Sequence, residues 1–161
     1  MELPVADPAD ETLLLDLLNT TPVVDGVPSD LLTSGWLAER QIDERERADL
    51  IAARQVLQAV VRGDQSGSAV QPFLDGVALR PVVTDDGIDW QLEAVDAAAR
   101  AVIAWDTLRI SSPGRLRPCA NTECQLFLLD RSKPNTARWC SMAICGNRMK
   151  ARRHYRRSRA D

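Results

Sequence analysis

Leucines at 13, 14, 15, 17 and 18 make residues 12–20 a compact apolar element. A run this short suits either a strand or a short helix. Pro22, Gly26 and Pro28 then mark a loop. Beyond it, Ser29 or Asp30 can cap a short helix reaching about Glu39, with Leu31, Leu32, Trp36 and Leu37 apolar. The clearest helical period runs over 43–62. Leu50, Ala53, Leu57, Val60 and Val61 fall on one face. Asp43 is the candidate N-cap, Glu44 and Glu46 complement the helix dipole, and Gly63 ends the run. Residues 69–78 fit another short helix. Residues 79–84 and 88–92 flank Asp85-Asp86-Gly87, the signature of a β-hairpin. Residues 94–109 predict an alanine-rich helix whose face of Ala94, Ala97, Ala98, Ala101, Trp105 and Leu108 invites close packing on another helix. Asp96, Arg100 and Thr107 lie opposite.

The turn-forming Ser111-Ser112-Pro113-Gly114 is the natural seam of the chain. After it, residues 115–118 and 126–129 look like two short strands around a turn. Residues 130–136 form a polar loop containing Pro134. Residues 141 to about 157 read as a helix with Ser141 as candidate N-cap. Met142, Cys145 and Met149 share one face of it, and Lys150, His154 and Arg157 the opposite one. Phe127, Trp139, Met142 and Met149 are the candidates for a small apolar core in this region.

The length of 161 residues, 45% hydrophobic and 27% charged, suits a packed domain with a smaller appendix. Apolar runs such as 13–15 are far too short to cross a bilayer. Met1-Glu2-Leu3-Pro4 lacks the layout of a secretory signal, so a cytoplasmic location is expected. The net charge of −3 conceals a polarised chain. Residues 1–114 hold 8 arginines against 20 acids, a net −12, and residues 115–161 hold 12 basic residues against 3 acids, a net +9. Such asymmetry points to a polyanionic partner or an interaction tail. The acidic segment has no His, no Cys and no Gly-rich phosphate loop, and no spacing singles out a pair of its carboxylates. Its acids read as solvated helix faces. Asp16 and Asn19, inside an apolar run, suit a cap or turn before a ligand contact. No enzyme is expected.

All four cysteines lie in the basic segment, spaced Cys119-x4-Cys124-x15-Cys140-x4-Cys145. Two close pairs about 15 residues apart are the layout of a structural tetrathiolate zinc site, closed by four protein ligands. Two disulfides are the rival, disfavoured by the missing signal and the ordinary core. An iron–sulfur cluster uses different common spacings. One strand-borne pair and one helix-start pair resemble a treble-clef finger. The metal's binding energy is needed to fold so small a module. The closing helix carries Arg148, Lys150, Arg152, Arg153, Arg156 and Arg157 with His154 and Tyr155 among them. Dipole compensation accounts for two or three of these cations. Phosphate contact accounts for the density.

The stretch Trp139-Cys140-Ser141-Met142-Ala143-Ile144-Cys145-Gly146-Asn147-Arg148-Met149-Lys150 resembles the CGNR zinc-finger family, and Phe127, Asp130, Ser132, Asn135 and Arg138 fit its pattern. The N-terminal segment resembles the ABATE domain through residues 15–20, 30–32, Trp36 and Leu37. The resemblance implies a bacterial, stress-responsive transcription regulator with a zinc-dependent DNA-binding end. Asp130, Ser132, Asn135, Arg138, Trp139, Gly146 and Asn147 are then expected to support the finger. Gly146 would allow close approach, Asn147 would tie the helix to the 130–135 loop, and Arg148 would meet that loop or a phosphate.

The expected fold is therefore α+β. A mainly helical N-terminal domain (1–111) with a small β-hairpin precedes a treble-clef-like zinc finger (115–161) ending in a basic helix. One structural Zn2+ is expected at Cys119, Cys124, Cys140 and Cys145, and DNA as partner of residues 148–157. The alternative is an adaptor whose basic finger docks on an acidic protein, this chain's own acidic segment included, or on RNA. The N-terminal domain would take a small ligand or form a homodimer, and no membrane contact is expected.

Overall fold

The computed structural model describes residues 7–159. It combines helices with small two-stranded hairpins. Helix α1 (Pro8–Leu18) starts earlier than the leucine run suggests, because Asp7 caps it through Ala9 N at 2.8 Å and Pro8 opens its first turn. The helical alternative is thus the one adopted. The loop after it contains a minimal hairpin, β1 (Val23–Val24) with β2 (Val27–Pro28). Helix α2 (Ser34–Glu39) is capped by Thr33 rather than by Ser29 or Asp30. Asp30 is diverted: its carboxylate takes two hydrogen bonds from Arg54, at 2.7 and 2.8 Å.

Asp43 caps a 3-10 turn, Glu44–Glu46, that leads into α3 (Arg47–Arg62), and Gly63 closes α3 in the left-handed conformation its φ of 83° requires. Residues 67–74 form a 3-10 segment rather than an α-helix over 69–78, since Pro72 sits inside it. Strands β3 (Ala78–Thr84) and β4 (Gly87–Glu93) pair in full antiparallel register around the Asp85-Asp86 turn. Helix α4 (Ala97–Ser111) begins later than expected: Asp96 is its N-cap, and Ala94 lies outside it. Strands β5 (Leu116–Pro118) and β6 (Phe127–Leu129) form the third hairpin. A single π-turn, Met142–Gly146, precedes α5 (Asn147–Arg157).

The core is leucine and alanine. Leu14, Leu17, Leu18, Leu37, Leu50 and Leu57 are fully enclosed, each worth roughly 1.5–3 kcal/mol of apolar transfer. Ala97, Ala98, Ala101 and Ala104 let α4 lie close on α1. Polar groups complete α3's inner face. Arg54 is buried and also reaches Thr20 Oγ1 at 2.8 Å, and Gln58 donates to Leu18 O and Thr21 Oγ1, each at 2.8 Å. These bonds satisfy the open end of α1 and the loop after it.

The β5–β6 hairpin closes on the same core. Phe127 is buried there with Leu116 and Leu129 packed beside it, and Arg62 lies 4.7 Å over its ring. The apolar core Phe127 joins is that of the helices, not the separate small one expected with Trp139, Met142 and Met149. Asn19, the C-cap of α1, behaves like an added strand residue. Its Oδ1 accepts from Phe127 N at 2.7 Å and its Nδ2 donates to Phe127 O at 3.2 Å. Asn19→Ala leaves both backbone groups of Phe127 without these partners. We expect it to destabilise the zinc-loaded chain by about 2 kcal/mol in urea titration.

Candidate metal centre and basic helix

Cys119 follows β5 directly, and its N–H donates to Leu126 O at 2.9 Å, so the hairpin holds both ends of the intervening turn. Within that turn, buried Asn121 accepts from Glu123 N through Oδ1, and its backbone carbonyl accepts from Cys124 N at 2.9 Å. Arg138 O accepts from Ala120 N, bringing the second cysteine pair alongside the first. The π-turn is the device that places Cys145. Gly146 N donates to Ser141 O at 3.0 Å, one residue further back than in an α-helix. Ser141 makes no side-chain cap bond; its backbone carbonyl serves instead.

The four Sγ atoms lie within 4.8 Å of one another. The Cys124–Cys140 and Cys140–Cys145 separations are both 3.7 Å. Zinc–sulfur bonds of about 2.3 Å in a tetrahedron set sulfurs about 3.8 Å apart, so the cluster fits this ion. Two N–H groups point at the sulfurs: Asn121 Nδ2 at 3.4 Å from Cys145, and Cys140 N at 3.4 Å from Cys119. Such donors stabilise thiolates around a metal. In the protein's own field, burial pushes the Cys124 thiol up to about 11 and Cys140 higher still. Burial works upward at Cys145 too, but hydrogen bonds from Asn121 and the neighbouring cysteines outweigh it and the thiol is lowered. A dication is what brings all four into the thiolate form.

Residues 115–158 match the family model of the CGNR zinc finger. The finger therefore carries one structural zinc ion, held by Cys119, Cys124, Cys140 and Cys145. A comparison with curated proteins returned no match.

A second cluster braces the finger from the loop side. The Asp130 carboxylate is buried and accepts from Ser132 Oγ (2.6 Å), Ser132 N (2.8 Å), Ala137 N (2.8 Å) and Arg117 Nη2 (2.6 Å). The Ser132 hydroxyl above all, with the backbone N–H groups and Arg117, holds its pKa down at about 2. Arg117 also donates to the carbonyls of Gly114, Asn135 and Ala137. Arg115 donates to those of Asp130 and Ser132. Asn135 sits in the left-handed region, φ 51°, a conformation asparagine tolerates. The sequence reading missed Arg115, Arg117 and Asn121. An arginine pair leading into the first cysteine and an asparagine inside the first Cys-x4-Cys turn were the available signals.

Other expectations divide. A Cβ on Gly146 would stand 2.6 Å from Met142 Sδ and 3.3 Å from Trp139 Cδ1, so the close approach is real. It comes from packing, because φ at Gly146 is −60°. Trp139 is half-buried under Arg138, which lies 5.2 Å from its ring, whereas Met142 is mostly exposed and builds no core. Asn147 does not reach the 130–135 loop; it bonds Ala143 O at 3.4 Å within its own turn. Arg148 is exposed and has no hydrogen-bond partner among the described residues.

Helix α5 buries none of its residues. Arg152 is tied to Glu123 at 2.6 Å and is thereby committed to the finger. Lys150, Arg153, Arg156 and Arg157 are exposed on adjacent rows, with His154 beside them. His154, Arg156 and Arg157 occupy the last turn, where the dipole favours cations.

Two outcomes test the centre. Metal analysis should return one zinc per chain, and chelation should expose residues 119–124 and 137–157 to rapid amide exchange while α1, α3, α4 and β6 stay protected. Asp130→Asn should keep its zinc at neutral pH yet lower the Tm by about 5 °C or more in calorimetry, because three donors and Arg117 lose their carboxylate.

Proposed function

We propose that the chain is a zinc-dependent, non-enzymatic DNA-binding protein, acting in the bacterial cytoplasm as a transcription regulator. The observation that carries this reading is α5. It is an unburied helix about 16 Å long, anchored at its start by the metal centre and studded with unpaired cations. A helix of that size enters a major groove, and guanidinium groups suit phosphates. We read the hairpin-borne pair and the helix-start pair of cysteines as a treble-clef arrangement that presents α5 outward. Arg148, Lys150, Arg153, Arg156 and Arg157 are the phosphate contacts; His154 and Tyr155 lie nearer the bases. Arg152 is withdrawn from this set by Glu123.

The stress response is part of the same proposal and rests on the CGNR resemblance. The helical part is the regulatory half. A cavity of about 770 Å3 lined by Val70, Leu74, Val102, Trp105 and Ile110 gives a small apolar ligand a place there. The adaptor alternative rests on the same cations. The finger does pair with the acidic helices through Arg131 and Glu11, while the ion pair that α5 makes among the described residues goes to Glu123, inside the finger.

Selection of bound sequences from random duplex DNA by the zinc-loaded chain tests the reading. An enriched site is expected, with log K falling against log salt at a slope of about −4.5 for five phosphate contacts. Replacing Arg153 and Arg157 by Ala should reduce that slope by about 2. Equal affinity at low and high salt would overturn the electrostatic account.

A further inference from the structure

The β3–β4 hairpin separates its side chains by chemistry. Opposed pairs in an antiparallel ladder point to the same side. The pairs Leu79–Leu92, Pro81–Trp90 and Val83–Ile88 therefore share one face, which is wholly apolar. The pairs Arg80–Gln91, Val82–Asp89 and Thr84–Gly87 share the other, where Arg80 and Glu93 form an ion pair. Both faces meet solvent, and on the apolar one Val83 is 83% exposed, Ile88 63%, Trp90 39% and Leu79 36%, with Leu92 half-buried. The hairpin packs mainly on itself, with no broad contact to any other element. Two strands alone are marginal in water and call for something against their hydrophobic face.

We propose that this face is covered by the same face of a second copy of the chain, about a two-fold axis. Area, charge and geometry each favour this occupant. One hairpin leaves on the order of 400–500 Å2 of apolar surface open, near the upper end for a monomer. Two such faces together bury roughly 1,000 Å2, the threshold of a specific interface. The segment 1–114 carries a net −12, so two copies approach only through a patch without charge, and all six positions of this face are uncharged. The turn at the tip holds Asp85 and Asp86. An antiparallel two-fold arrangement keeps the two acidic tips at opposite ends, away from each other. It also sets Trp90, in the central pair, against its own counterpart as the anchor. The proposal does not depend on DNA binding.

Sedimentation equilibrium of the full zinc-loaded chain, from about 1 to 100 µM, decides it. A monomer–dimer equilibrium is expected. Val83→Glu and Ile88→Glu should each weaken it by on the order of a hundredfold, because a carboxylate would be buried without a partner. Both sites are open in the single chain, so circular dichroism and zinc content should not change. Asp89→Lys, on the polar face, should leave the dimer intact. A wild-type chain that stays monomeric throughout, or glutamate variants that dimerise like wild type, would overturn the proposal.

Discussion

Four sulfurs within 4.8 Å of one another cannot all be thiolates unless a cation sits among them. Around this constraint the last third of the chain is arranged. One pair of ligands needs a rigid hairpin end, which β5 and β6 supply by closing on the helical core. The other needs a helix that starts on target, and the π-turn at Met142–Gly146 re-aims Cys145 to meet it. The loop between them has little apolar material of its own. It is organised by Asp130 and Arg117, which between them take up the serine, the backbone N–H groups and three carbonyls that would otherwise stay unpaired.

The elements legible in the sequence were those announced by local chemistry. The 3.6-residue period of α3, the Asp-Gly turn of β3–β4 and the cysteine spacing each need only neighbours a few residues away. What was hidden depends on contacts at long range. Thr33 displaces Asp30 as cap of α2 because Asp30 is claimed by Arg54, 24 residues on. Phe127 was expected to share a small apolar core with Trp139, Met142 and Met149. The chain turns it instead into the leucine core, toward Asn19, 108 residues away. The role of Asn147 failed for the opposite reason: a closer acceptor, Ala143 O, satisfies it locally.

The charge count also changes meaning once positions are known. The +9 of residues 115–161 is not one surface. Zinc with four thiolates adds a local −2, and Arg117 is neutralised by Asp130. Arg131 is paired with Glu11 and Arg152 with Glu123. The exposed remainder is concentrated on α5, beyond the metal centre and on a helix none of whose residues is buried. The dipole accounts for the cations of the last turn, His154, Arg156 and Arg157, while Arg148, Lys150 and Arg153 are exposed ahead of it.

The same contacts tie the metal centre to the helices. Asn19 ends α1 and grips Phe127 by two hydrogen bonds. Phe127 lies next to Leu126, whose carbonyl fixes Cys119 N, and Cys124 stands two residues before Leu126. A displacement of the α1 C-terminus must therefore move β6 and the first cysteine turn with it, or break both Asn19 bonds. Arg62 reinforces the link from α3, bonding Gln125 O while lying over the Phe127 ring. Two helices thus hold the residues between the first cysteine pair and β6. A shift of α1 against α3 would therefore strain the contacts of Asn19 and Arg62 with the segment that joins Cys124 to β6.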